Sequence, residues 1–211
     1  MPEGEKRWQQ PRSRTERHDA LEALTTSVRR LVEATVGTGL PAEELRRLTT
    51  EVDALADEVG AVLDEDPWVE RSSAGVEDPG GLMGINPAVG RANPLSPVMH
   101  LEVGEGAVAG TVRFDLQHVG PPYRAHGGII AAVMDQALGI AAIAGGSPGM
   151  TGSMTVKYRR ATPLREDLRI EARMVGGEGR IGHATGEIYD DQGRVTAEAE
   201  AMFVQPKGEI R

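Results

Sequence analysis

An α+β fold, in which an antiparallel sheet packs on one long central helix behind an N-terminal helical hairpin, is predicted by three observations. Apolar residues recur at helical spacing from Leu21 to Val62, the period changes to two after Val98, and between them lies one almost wholly apolar segment, Gly127 to Gly146.

Residues 1–17 are polar, contain Pro2 and Pro11 and show no period, so they read as a flexible tail. Residues 18–64 read as a helical hairpin. Leu21, Leu24, Val28, Leu31 and Val32 make one apolar stripe; Gly37 and Gly39 interrupt it. Pro41 followed by Glu43 and Glu44 has the chemistry of a first helical turn, where a missing N–H is harmless and acids favour the dipole. The second stripe, Leu45, Leu48, Val52, Leu55, Val59 and Val62, alternates three- and four-residue steps. Such spacing suits a hairpin or a coiled-coil seam, packed on its own domain or on a partner subunit. Residues 65–96, with Pro67, Pro79, Gly80, Gly81, Pro87, Gly90 and Pro94, read as an irregular linker.

Residues 97–205 form the main predicted domain. Val98–Val103 and Val108–Phe114 alternate as two strands, Gly120–Tyr123 is rich in turn residues, and the long helix follows. After it Met154, Val156 and Tyr158 alternate with Ser153, Thr155, Lys157 and Arg159. Leu168 to Met174, Ile181 to Tyr189 and Val195 to Val204 complete four further strands, with Asp191-Gln192-Gly193 as the last hairpin turn. Two strands, one helix and four strands imply an antiparallel sheet with a single helix against it.

Composition narrows function. With no cysteine there is no disulfide, thiol nucleophile or thiolate metal site. A net charge of -9 argues against a nucleic-acid surface. The sequence shows no signal peptide, and we expect no membrane span and a cytoplasmic protein. The five histidines are scattered without metal-ligand spacing, and no resident cofactor is implied. Gly177 to Gly182 spells a dinucleotide fingerprint, but a strand follows it rather than a helix, so it reads as a turn.

The apolar helix carries Asp135, an acid that needs hydrogen bonds or a partner if its surroundings are dry. It either caps a neighbouring group or does chemistry. At the start of the helix, His126-Gly127-Gly128 places two residues without side chains where unpaired N–H groups and the helix dipole favour negative charge. An oxyanion site together with a carboxylate that activates water is the minimum for acyl transfer to water. Asp135 lies roughly 10–12 Å from the glycines along the axis, so one helix cannot bring both to one carbonyl. Two antiparallel helices related by a two-fold axis can, which predicts an obligate dimer.

His126-Gly127-Gly128, six residues and Asp135, followed by Thr151-Gly-Ser-Met-Thr-Val-Lys-Tyr-Arg-Arg-Ala-Thr-Pro163-Leu164, resembles the phenylacetate-degradation (PaaI-like) branch of the hotdog-fold thioesterases over about residues 95–205. The resemblance implies a hotdog sheet wrapped around the helix, dimers or dimers of dimers, and acyl-CoA substrates, coenzyme A being part of the substrate. It implies Asp135 as general base or nucleophile, Gly127 as oxyanion donor, Thr151 as the group orienting water or the aspartate, and His126 as a positioner of the thioester. Some relatives carry an amide several residues before the His-Gly-Gly, where this chain has Gly120-Pro-Pro-Tyr-Arg; Gln117 or Tyr123 are the substitutes at hand. Gly128, Tyr123, Arg124, Lys157, Arg159 and Arg160 are the candidate substrate-binding residues, the four cations as partners for CoA phosphates or simply as solvated strand positions. The rival expectation is a non-catalytic acyl-CoA-binding hotdog protein that regulates or scaffolds, with the hairpin as its interaction module.

Overall fold

The computed structural model describes residues 14–64 and 77–207; the expectations for 1–13 and 65–76 lie outside them. Helix α1, Glu16–Gly37, begins before Asp19 because Thr15 caps it: the Thr15 hydroxyl accepts the His18 N–H while the His18 ring accepts that of Thr15. Helix α2, Ala42–Gly60, starts immediately after Pro41, which serves as its N-cap residue. Arg17 pairs with Asp64 at 3.1 Å, tying the far end of α2 back to the start of α1.

Helix α1 is fastened to the rest of the chain. The Arg29 guanidinium donates to the carbonyls of Ser96 and Asn93, and Glu33 pairs with Arg165 at 2.7 Å. Residues 77–96, read as an irregular linker, are irregular but packed: a four-residue helix α3, Pro79–Leu82, is capped by Asp78, and Ala88 and Val89 are buried. Arg91 grips Asp78 with both terminal nitrogens, at 2.5 and 2.6 Å, and reaches Glu22 of α1 at 3.0 Å. This bidentate contact locks the segment between α1 and the sheet.

Strands β1 (Val98–Gly104), β2 (Ala107–Arg113), β5 (Met150–Tyr158), β6 (Asp167–Glu178), β7 (Ile181–Tyr189) and β8 (Val195–Val204) form one six-stranded sheet in the order β1-β2-β6-β7-β8-β5. All pairings are antiparallel. A 3₁₀ turn, Leu116–His118, and a two-residue ladder of β3 (Val119–Gly120) with β4 (Arg124–Ala125) lead into helix α4, Gly127–Ala144. Gly177 to Gly182 is indeed the β6–β7 hairpin, turning at Gly179 with φ +59°.

Helix α4 lies across one face of the sheet. Ile130, Val133, Met134, Ala137, Leu138 and Ala141 are buried against Val112, Leu168, Ile170, Ile188 and Phe203. Strand β8 offers Ala197, Ala199 and Ala201 on that face, small side chains that let the helix backbone come close. Each large apolar side chain buried here contributes about 1.5–3 kcal/mol, so this packing rather than propensity holds α4 in place. With 18 residues and a mean hydropathy of 1.7, α4 does reach the length and composition of a membrane span, contrary to expectation; it is the core helix of the sheet.

The helix is not buried all round. Gly128, Ala132 and Ile143 are exposed, and Asp135 and Gly139 are half-buried, which leaves one continuous stripe uncovered. Strand β5 beside it is one edge of the sheet and is exposed over most of its length.

Candidate active site

The first turn of α4 is organised by His126. As N-cap residue it accepts the N–H of Ile129 and Ile130 on its carbonyl and the N–H of Gly128, at 3.0 Å, on ring Nδ1. A neutral ring accepting at Nδ1 carries its proton on Nε2, which faces outward as a donor. The Gly128 amide, expected to bind substrate, is therefore occupied. The Gly127 N–H has no partner among the described residues and is the donor this terminus leaves for a ligand oxygen.

Gly127 is also held from the side. The Tyr158 hydroxyl donates to its carbonyl at 2.7 Å, and a Cβ at Gly127 would lie 3.2 Å from the tyrosine ring and oxygen. Tyr158 escaped the sequence reading because its target is a main-chain carbonyl that no motif announces. Its place on the inward set with Met154 and Val156 was the available signal.

Asp135 stands one face of α4 further along, on the uncovered stripe rather than in a dry interior. Its Oδ1 accepts the Thr151 hydroxyl at 2.7 Å, and no partner to Oδ2 exists among the described residues. A bulge makes this contact possible. Thr151 is opposite Phe203 and Ser153 is opposite Met202, so Gly152 is an extra residue in β5. Strict alternation would send Thr151 outward with Ser153; the extra residue reverses the parity and brings Thr151 onto the helix side, with Phe203. A side chain at position 152 would meet Met202 Cε at 2.9 Å and Val204 Cγ2 at 3.0 Å, which favours glycine there. Strand β5 thus clamps α4 at two points, Tyr158 on Gly127 and Thr151 on Asp135.

The four cations divide. Lys157 is opposite Glu198, on the outer face of the sheet, and pairs with Glu200 at 3.2 Å and Glu198 at 3.6 Å. Arg159 binds Glu198 at 2.5 Å and, by that hydrogen bond, holds its carboxyl below the usual range. These two are committed to glutamates and turned away from α4. Arg160 donates to the Val195 carbonyl and Arg124 to that of Tyr123, neither a charged partner. The Ala125 N–H donates to the Thr162 carbonyl at 3.0 Å, so the segments carrying Arg124 and Arg160 run side by side next to the His126 turn. Tyr123, 81% exposed with φ +59°, tips the β3–β4 loop. The Gln117 amide is enclosed with no hydrogen-bond partner among the described residues.

Gly127 and Asp135 are eight residues apart on one helix, roughly 12 Å, so a single helix does not bring both to one carbonyl.

Residues 124–197 match the family model described as Thioesterase superfamily. A crystal structure of a thioesterase superfamily protein is 29% identical, covers 93% of this chain and 94% of its own, and superposes with a TM-score of 0.77. The match therefore includes the helical hairpin. Zebra fish thioesterase superfamily member 2 is 21% identical over 62% of this chain and 96% of its own, with a TM-score of 0.54. The Escherichia coli PaaI protein of the phenylacetic acid degradation operon is 19% identical over 54% of this chain and 83% of its own, with a TM-score of 0.49. From the sheet wrapped on α4, the composition of that helix's first turn and these matches, the chain carries the hotdog fold, and its residues 124–197 are similar to the thioesterase superfamily.

Proposed function

We propose that the protein hydrolyses acyl-CoA thioesters at two sites shared between paired chains. The observation that carries this reading is the pairing of Asp135, anchored by Thr151 through one oxygen and free at the other, with an unengaged Gly127 N–H at a helix start. Two chains meeting through the uncovered stripe of α4 and the free edge of β5 bring the Gly127 of each beside the Asp135 of the other.

The thioester carbonyl oxygen accepts from Gly127 N–H. Asp135 Oδ2 takes a proton from water as the water oxygen bonds to the acyl carbon; the tetrahedral oxyanion collapses, the C–S bond breaks, and CoA leaves as a thiolate that takes up the proton. Preorganised donors of this kind are worth about 10²–10³ in rate and a positioned base about 10²–10⁴. Arg124 and Arg160, without carboxylate partners, suit the phosphates of the CoA tail.

The test is thiol release from a panel of acyl-CoAs by the purified protein and by Asp135→Asn, with a fall of at least about 100-fold expected for the variant. Acyl-CoA binding without turnover by the wild type would falsify hydrolysis and select the regulatory, non-catalytic reading. Single-turnover reaction in ¹⁸O-water distinguishes the two carboxylate roles: label in Asp135 marks attack by the carboxylate itself, and label in the product alone marks the base.

A further inference from the structure

We propose that the junction of α1 with the start of β1 is a binding site for a small organic anion, an oxyanion headgroup on a short apolar body. A cavity of about 330 Å³ lies there, lined from α1 by Arg29 and Arg30 and from the segment that enters β1 by Val89, Pro97, Val98 and Met99. Its volume falls at the lower end of the ~300–1,000 Å³ of ligand pockets. One wall is cationic and the other apolar, so the lining suits a molecule that carries both kinds of surface.

The distribution of charge points to an anion. Three carboxylates also line the cavity, and each is held by an arginine other than Arg29 and Arg30: Glu22 by Arg14 at 2.7 Å and Arg91 at 3.0 Å, Glu33 by Arg165 at 2.7 Å, and Asp115 by Arg113 at 2.9 Å. Arg29 reaches only main-chain carbonyls, that of Ser96 through Nε and that of Asn93 through Nη2, and its Nη1 has no partner among the described residues. Withdrawal from water holds the Arg29 guanidinium below the ordinary arginine range, and the charge of Asp115 offsets this in part. Taking a guanidinium out of water is unfavourable unless an anion meets it. The chain has 32 acids against 23 lysines and arginines, yet among the described residues none pairs with Arg29 or with the exposed Arg30 at the cavity's rim. A carboxylate or phosphate group entering the cavity supplies the missing partner, in the planar geometry that a guanidinium favours.

None of these residues belongs to the α4 site, and the proposal does not depend on the proposed activity. Equilibrium dialysis of the full-length protein against radiolabelled octanoate tests it, with octanamide and inorganic phosphate as competitors. Octanoate is expected to bind at one site per chain, and octanamide, which lacks the charge, and phosphate, which lacks the apolar body, to compete at least about tenfold less well. Arg30→Gln is expected to weaken octanoate binding at least about fivefold. Thr26→Glu, exposed on the same wall, puts a carboxylate beside the two arginines and is expected to abolish binding, both variants keeping the circular dichroism of the wild type. No binding of octanoate at millimolar concentration, competition by octanamide or phosphate as strong as by unlabelled octanoate, or binding unchanged in either variant would each overturn the proposal; the last result places octanoate elsewhere, the α4 site included.

Discussion

Replacing Thr151 by valine removes one hydroxyl and keeps shape, volume and strand preference, so it isolates the 2.7 Å bond to Asp135 Oδ1. A hydrogen bond to a charged group contributes about 1.5–3 kcal/mol, and partial exposure of this pair to solvent trims that to about 1–2 kcal/mol. If the bond serves to hold the carboxylate against its water, the loss falls on the transition state and kcat drops about 5- to 30-fold with KM little changed. Serine retains the donor, so Thr151→Ser stays within about threefold of wild type. Thiol release can be followed with a chromogenic disulfide, and the cysteine-free chain contributes no background. A Thr151→Val enzyme as fast as wild type, or a Thr151→Ser enzyme as slow as valine, refutes the role given to Thr151.

Three further outcomes are expected. Deleting Gly152 removes the bulge and leaves Thr151 next to Ser153 in plain alternation, still opposite Phe203 on the helix side, so turnover stays above that of Thr151→Val with the circular dichroism of a folded sheet; a loss as deep as in Thr151→Val contradicts the parity argument. Tyr158→Phe loses the bond to the Gly127 carbonyl, about 0.5–1.5 kcal/mol, and lowers the thermal midpoint by a few degrees together with kcat; an unchanged midpoint and rate remove Tyr158 from the clamp. His118 is buried with Nδ1 accepting from the Asp115 N–H and Nε2 facing the Leu95 carbonyl, and burial holds its ring below the ordinary histidine range. The unfolded chain therefore binds this proton first: the contribution is fully present above about pH 6.5 and is lost as pH falls toward the folded value, at no more than ~1.4 kcal/mol per unit. Chemical denaturation of wild type and His118→Gln at pH 7.5 and 5.5 checks it, and equal pH sensitivity of the two proteins rules His118 out.

How much was legible varies with the range of the interactions. Strands β7 and β8 occupy the residues their alternation marks, since one face of each is apolar and the other mostly polar. Helix α4 is marked by its composition, and the separation of Gly127 from Asp135 along it was readable from residue count alone. The parity of Thr151 was not legible, because alternation in β5 predicts the outward face and only pairing with β8 reveals the bulge. Lys157 and Arg159 looked available for phosphate until the register placed glutamates of β8 opposite them. Likewise the packing of residues 77–96 depends on Arg91 meeting Asp78 and Glu22, partners up to 69 positions away.

The strand order has a consequence for synthesis. Helix α4 emerges from the ribosome before β6, β7 and β8, the three strands that supply most of the surface it is buried against, and β5 can pair only with β8, the last of them. At 5–20 residues per second, an 18-residue helix as apolar as a membrane span waits several seconds for its cover. During that interval the nascent chain is a substrate for any factor that captures greasy segments, and the final strand acts as the latch that ends the exposure.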